Sequence, residues 1–230
     1  MLAANDLKMI MRDRMLVFVF FIPLLFLVAG AWIIREVTER FFDISPYSCL
    51  IMSFVLIQIA VIFGFVYAFL MIDERDENIL DALRVVPVSN VVFLTSRLLC
   101  ASVFSFFYAF LSFFILGLMN ISYPAIFLIS LTFALLPPVI ALIIFTFSGN
   151  KVEAIAIFKA VDLFVLFPLM SLFVTGSWKF VFGIFPYFWT IYALEGLLLT
   201  GSLNYFCLVL GILLQISLLI GCVYRFSHSE

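Results

Sequence analysis

The chain is predicted to be an all-α, polytopic membrane protein with six transmembrane helices, and three observations predict it. Of its 230 residues 67% are hydrophobic and 11% charged, with a mean hydropathy of +1.31. A soluble domain of this length could not cover that composition with a water-facing surface. The apolar residues also come in charge-free runs at or above the roughly 20 residues that cross a hydrocarbon core of about 30 Å. A single strongly polar passage, Asp73 to Ser89, stands among them. The net charge of −2 comes with no basic stretch of interleaved aromatics, so nucleic acid is excluded as a partner. Cys49, Cys100, Cys207 and Cys222 stand singly in apolar surroundings without accompanying histidines. Packing is their expected role, and neither a disulfide framework nor a metal site is indicated.

Residues 1–14 carry Lys8, Arg12 and Arg14 beside Leu7, Ile10 and Met11, a short amphipathic helix suited to the membrane interface. The first span follows at about 15–34. Ala29-Gly30-Ala31 after a basic start also fits a secretory cleavage site. A retained helix fits better, because the apolar run continues through Trp32 to Ile34 and more spans follow. Arg35, Glu36, Glu39, Arg40 and Asp43, then Ser45-Pro46, make a polar turn ahead of the second span at about 49–72.

The polar passage is read as a helix over 73–86. Ile79, Leu80, Leu83 and Val86 fall on one face, while Glu74, Arg75, Asp76, Glu77, Asn78, Asp81 and Arg84 cover the other, and Pro87 ends the helix. From Asp73 to Arg84 there are five acids and two arginines. Helices that lie on anionic lipid are instead rich in Lys and Arg, so a protein groove is the better partner for this apolar face. The plain alternative is a solvated loop between spans.

After Arg97 no charge occurs until Lys151, a run too long for one helix, and Asn120-Ile121-Ser122-Tyr123-Pro124 divides it into spans at about 98–118 and 124–147. Ala101, Ser105 and Ala109 recur every four residues in the third span, a row of small side chains that lets another helix approach. Pro137-Pro138 predicts a kink or local unwinding in the fourth. The fifth span is placed at about 160–176. Lys159 and Asp162 near its start are read as an ion pair, intramembrane if the helix begins near Ala154 and interfacial if it begins near Val161; the interfacial placement is preferred. Residues 177–202 are too interrupted to span twice, and Trp178, Tyr187, Trp189 and Tyr192 give them an interfacial composition, so a half-inserted or re-entrant segment is expected. The last span runs over about 203–224.

With the amino terminus inside, nine of the twelve basic residues fall on the cytoplasmic side, leaving Arg35, Arg40 and Lys179 outside. The positive-inside rule then puts both termini and the 73–86 helix in the cytoplasm of a cell membrane protein.

Glu74-Arg75, Ile79-Leu80, Leu83 and Pro87-Val88-Ser89 resemble the Glu-Arg, Gly-Thr-Leu, Leu and Pro-Val-Ser/Thr pattern of ABC-2 type transporter permeases, with Asn78 where the family usually has glycine. Pro186 and Glu195-Gly196-Leu197 loosely resemble a second passage of that family, between its fifth and sixth spans. The resemblance implies that 73–86 is a coupling helix docked on a partner ATPase through Glu74, Arg75, Ile79, Leu80, Leu83 and Pro87. It further implies an exporter built from two permeases, as a homodimer or with a sister chain, and two ATPase subunits that hold the ATP and Mg. This chain has no phosphate-binding loop and no expected cofactor; Gly149-Asn150-Lys151 lacks the preceding glycine-rich turn. An ion-coupled secondary transporter is the alternative, wanting intramembrane carboxylates and repeated halves. A membrane-embedded enzyme is less well supported, since the sole histidine is His228 in the tail. A small amphipathic, drug-like or lipid-like cargo suits so compact and Phe-rich a permease.

Overall fold

The computed structural model describes residues 14–77 and 90–227, with side chains over 17–77 and 94–224. The expected interfacial helix at 1–14 lies outside them except for Arg14, as do residues 78–86 of the expected coupling helix; its residues 73–76 are the last turn of the helix Ser48–Asp76, capped at Glu77, and not the start of a separate one. Every element among the described residues is helical. In chain order these are α1 (Arg14–Arg40), α2 (Ser48–Asp76), α3 (Asn90–Leu116), α4 (Tyr123–Phe133), α5 (Leu136–Phe147), α6 (Lys151–Leu166), α7 (Phe188–Thr200) and α8 (Tyr205–Ser227). Short 3-10 stretches cover Ser45–Tyr47, Phe167–Phe173 and Gly176–Ile184. Six helical segments are long and apolar enough to cross a membrane, the fourth made of α4 and α5 together and the fifth of α6 with its 3-10 extension.

The helices are arranged around α2. Lipid-facing helices expose an apolar side, whereas α2 is buried on every side from Phe63 to Ile72. It packs against α1, α3, α5, α6 and α7. Phe20 of α1, Phe63 of α2 and Phe104 and Tyr108 of α3 form an edge-to-face aromatic group, with Phe20–Phe104 and Phe63–Tyr108 centroids both 5.0 Å apart. Each such pair contributes about 0.5–1.5 kcal/mol beyond its buried area. On α3, Ala101, Ser105 and Ala109 are fully buried, while Leu99, Val103 and Phe107 on other faces are exposed.

Helices α2 and α5 approach each other closely at Gly64. A Cβ built there would stand 2.7 Å from Ile140 Cγ2, 2.8 Å from Ile140 Cβ and 3.0 Å from the Pro137 carbonyl oxygen. Ile140 branches at Cβ, so rotating its side chain does not clear the space. Gly64→Val is therefore expected to push α5 off α2, at a cost of about 1–3 kcal/mol or more. Thermal unfolding of the purified protein in detergent checks it. Gly64→Val should melt well below wild type, Gly64→Ala should fall between, and a wild-type melt for the valine variant would mean that α5 does not sit this close.

The fourth span breaks beside this contact. Phe133 ends α4, the Ala134 and Leu135 amides turn back to the Ser130 and Thr132 carbonyls, and α5 begins with Pro137 and Pro138 in its first turn. Proline costs no intrahelical hydrogen bond at that position, so the two prolines start a helix rather than distort one. At the start of α2, Asp43 Oδ1 accepts from the Ser45 hydroxyl at 2.6 Å and the Ser45 amide at 2.9 Å. Those bonds hold its carboxyl below its ordinary range and set the turn out of α1.

The helix α6 begins at Lys151, not near residue 160. Asn150 is its N-cap: its side-chain oxygen accepts from the Glu153 amide at 2.9 Å, and Glu153 reaches back to the Gly149 amide at 2.7 Å. That capping box fixes the start well before the apolar run resumes. Beyond Phe173 the chain is extended at Val174 and Thr175, then forms the 3-10 stretch Gly176–Ile184 and turns into α7. At 13 residues α7 spans about 20 Å, too short to cross alone. Gly201, with φ of +72°, closes it in the left-handed region, and the chain returns along α8.

Candidate functional site

Three consecutive residues at the end of α2 tie it to three other helices. Glu74 forms an ion pair with Arg97 of α3, and the two are 1% and 3% exposed. Asp73 forms a second ion pair, with Lys151 at the first turn of α6. The Arg75 guanidinium lies over the Phe145 ring near the end of α5, 5.2 Å from its centroid. Lys151 at a helix start opposes the helix dipole, and the Asp73 carboxylate offsets that. The Asn150/Glu153 box fixes the short α5–α6 connection and so presents Lys151 to Asp73.

The Glu74–Arg97 pair joins α2, which precedes residues 78–89, to α3, which follows them. A fully buried ion pair is weak evidence for stability, since desolvating both charges offsets most of their attraction. Its geometric consequence is stronger: α2 and α3 cannot separate at this end without leaving a buried charge behind. One Glu74 oxygen, Oε2, has no hydrogen-bond partner among the described residues.

The predicted site residues divide accordingly. Glu74 and Arg75 sit in this cluster, whereas Ile79, Leu80, Leu83 and Pro87 lie outside the described residues. Arg97, Asp73 and Lys151 belong to the cluster although the sequence assigned none of them a partner. No periodicity signals such a pair; the available cue was that each polar residue bordering the 78–89 passage needs a partner if its helix is packed.

Lys159 and Asp162 are not brought together. Three residues apart they sit about 60° round the helix from each other. Lys159 is exposed, and half-buried Asp162 faces α2, where its Oδ1 accepts a hydrogen bond from Gln58 Nε2 at 3.0 Å. With α6 starting at Lys151, Asp162 lies midway along the candidate fifth span, Lys151–Phe173. Gln58, one amide in an apolar span, was the overlooked signal.

A second polar lock lies at the far end of the bundle, where α6 has carried the chain. Lys179 of the 3-10 stretch pairs with Glu195 of α7, and its ammonium lies 5.5 Å from the Tyr192 ring centroid. Trp189 Nε1 donates to the Gly183 carbonyl at 2.9 Å. Together these fasten residues 176–184 onto α7. Among the described residues no group of histidines, cysteines and acids could hold a metal ion.

Comparison with known proteins bears on this arrangement. The sequence model of a family described as fluoroquinolones export permease protein Rv2686c-like matches residues 6–223. The fluoroquinolones export permease protein Rv2686c of Mycobacterium tuberculosis strain H37Rv is 27% identical over 193 residues, covering 80% of this chain and 77% of that protein. The corresponding protein MT2760 of strain CDC 1551 / Oshkosh matches to the same extent. No solved structure matches the chain.

Proposed function

The chain belongs to the Rv2686c-like family of fluoroquinolones export permease proteins, and from that membership we propose that it is the membrane-spanning permease of an ATP-driven ABC exporter. Its cargo is a small amphipathic, drug-like or lipid-like molecule, moved out of the cytoplasm. The observation that carries this reading is that the family match runs through all six spans and through residues 78–89. A separate ATPase holds the ATP and Mg, docks on the passage after α2 through Ile79, Leu80 and Leu83, and drives a homodimer of this chain or its pair with a sister permease. Both termini and the Glu74 end of the bundle face the cytoplasm in this reading, in keeping with the distribution of basic residues.

The polar cluster supports a mechanical role for that end. A push on residues 78–89 arrives at Glu74 and Arg97, and Asp73 and Arg75 pass it on to α6 and α5. Movement is then shared among α2, α3, α5 and α6 as a unit, which is what a short docking segment must achieve to reshape a bundle. At the far end the Lys179–Glu195 pair would be broken or remade as the exit opens.

One observation favours a second reading, ion-coupled transport: Asp162 is a mid-span carboxylate whose hydrogen-bond donor is the uncharged Gln58. Inside-out membrane vesicles containing the permease and its ATPase separate the two. Uptake of a fluoroquinolone is expected to require ATP hydrolysis and to survive an uncoupler. Uptake that continues without the ATPase and collapses with the proton gradient would replace the exporter reading by the ion-coupled one.

A further inference from the structure

A cavity of about 720 Å³ lies between α5, α6, the turn before α7, and α8. Its walls are apolar side chains such as Ile140, Ile143, Ile157 and Val161, and its size is that of a site for a drug-sized molecule. The Gln215 side chain of α8 reaches its lining from a position 1% exposed, with neither amide atom hydrogen-bonded among the described residues. The other polar side chain of the wall, Tyr187, is occupied, its hydroxyl donating to the Phe164 carbonyl at 3.3 Å. Phe147, Phe164 and Ile184 at the rim are exposed, so the cavity opens sideways toward the surroundings of the bundle.

We infer that this cavity is a ligand site within one copy of the chain, taking a largely apolar molecule with a carboxylic acid or primary amide that pairs with Gln215. The side-chain amide presents an acceptor and a donor on one edge, and a neutral carboxylic acid or amide offers the complementary pair. Gln215 stands about ten residues, roughly 15 Å, from either end of the span Tyr205–Tyr224. Phospholipid headgroups do not reach that depth, and acyl chains carry no donor or acceptor. A lipid tail can fill the apolar walls but leaves the amide unpaired, whereas a ligand with the right polar edge satisfies both. The acid binds in its protonated form, so affinity falls as pH rises through the ligand's own pKa.

The identification of this ligand as cargo rests on the exporter reading; its binding does not. The test uses the full chain in lipid nanodiscs without ATPase, and as probes a fluorescent quinolone-3-carboxylic acid and the same ring system lacking the carboxyl group. Wild type is expected to bind the acid about tenfold more tightly than the decarboxylated ring, the effect of two hydrogen bonds to one amide. Gln215→Met, close in shape and free of polar atoms, should remove that preference by weakening the acid and leaving the decarboxylated ring unchanged. Leu218→Trp, which fills the cavity, should weaken both. Equal binding of the acid by wild type and Gln215→Met overturns the site, as does a wild type that does not distinguish the two probes, the result a lipid-filled cavity would give. Gln215-dependent binding without any ATP-driven transport would instead keep the site and overturn the exporter reading.

Discussion

Arg97→Leu is expected to cost about 3–5 kcal/mol, because it leaves the Glu74 carboxylate buried at 1% exposure without its cation. The readouts are the yield of inserted protein and its melting temperature in detergent; both should fall sharply, and Glu74→Leu should behave alike by stranding Arg97. The double variant Glu74→Leu/Arg97→Leu separates folding from mechanism. Replacing a buried pair by apolar side chains of similar bulk is often neutral for stability, so the double variant should regain most of the lost melting temperature. Transport should not return with it. If the pair couples residues 78–89 to the bundle, the refolded double variant is expected to export at a tenth of the wild-type rate or less, roughly 1.4 kcal/mol of lost coupling. A double variant that folds and transports normally would reduce the pair to a packing detail, and an Arg97→Leu that melts like wild type would mean the two charges are not buried together.

Leu83→Asp is expected to have the other large effect, on assembly. Ile79, Leu80 and Leu83 share the apolar face predicted for the 73–86 helix. A carboxylate placed in the middle of that face, in a groove of the ATPase, costs several kcal/mol if it is buried unpaired. A tagged ATPase should then fail to retain the permease, while the variant still reaches the membrane in normal amount. The contrast with Arg97→Leu is informative: one variant should leave a stable permease without a partner, the other an unstable permease. Retention of Leu83→Asp at the wild-type level, with transport intact, would make the passage around Ile79, Leu80 and Leu83 a solvated loop.

The all-helical class and the number of spans were legible because charge in a bilayer is expensive, and the runs between charges therefore measure helices. The central position of α2 was not. In water a helix apolar on all sides must be buried, but in lipid the exposed helices are apolar on all sides too, so periodicity loses its power to sort core from rim. What marks α2 is Gly64, which admits Ile140, and that contact is visible only once α5 is in place. The start of α6 was written in Asn150 and Glu153, a capping box, but Lys159 and Asp162 drew attention as charges and shifted the expected boundary inward. Their pairing failed for a related reason: spacing shows that two side chains can meet, while the neighbouring helix decides whether they do, and Gln58 supplied Asp162 with a different partner. Of the candidate site, Glu74 was legible from its motif. Its link to Arg97 was not, since the two are joined by folding across the stretch that separates them.

The placement of α2 at the centre also dictates an order of events during synthesis. The helix that most of the others pack against is made second, and Ile140, which closes over Gly64, is made long after it. At about 5–20 residues per second the interval is on the order of ten seconds, during which the side of α2 that meets α5 stays uncovered. Glu74 waits far less, because Arg97 arrives with the very next span. The two helices can thus enter the bilayer as a neutralised hairpin, and a variant that delays or removes Arg97 should be caught by membrane quality control before α5 has been translated.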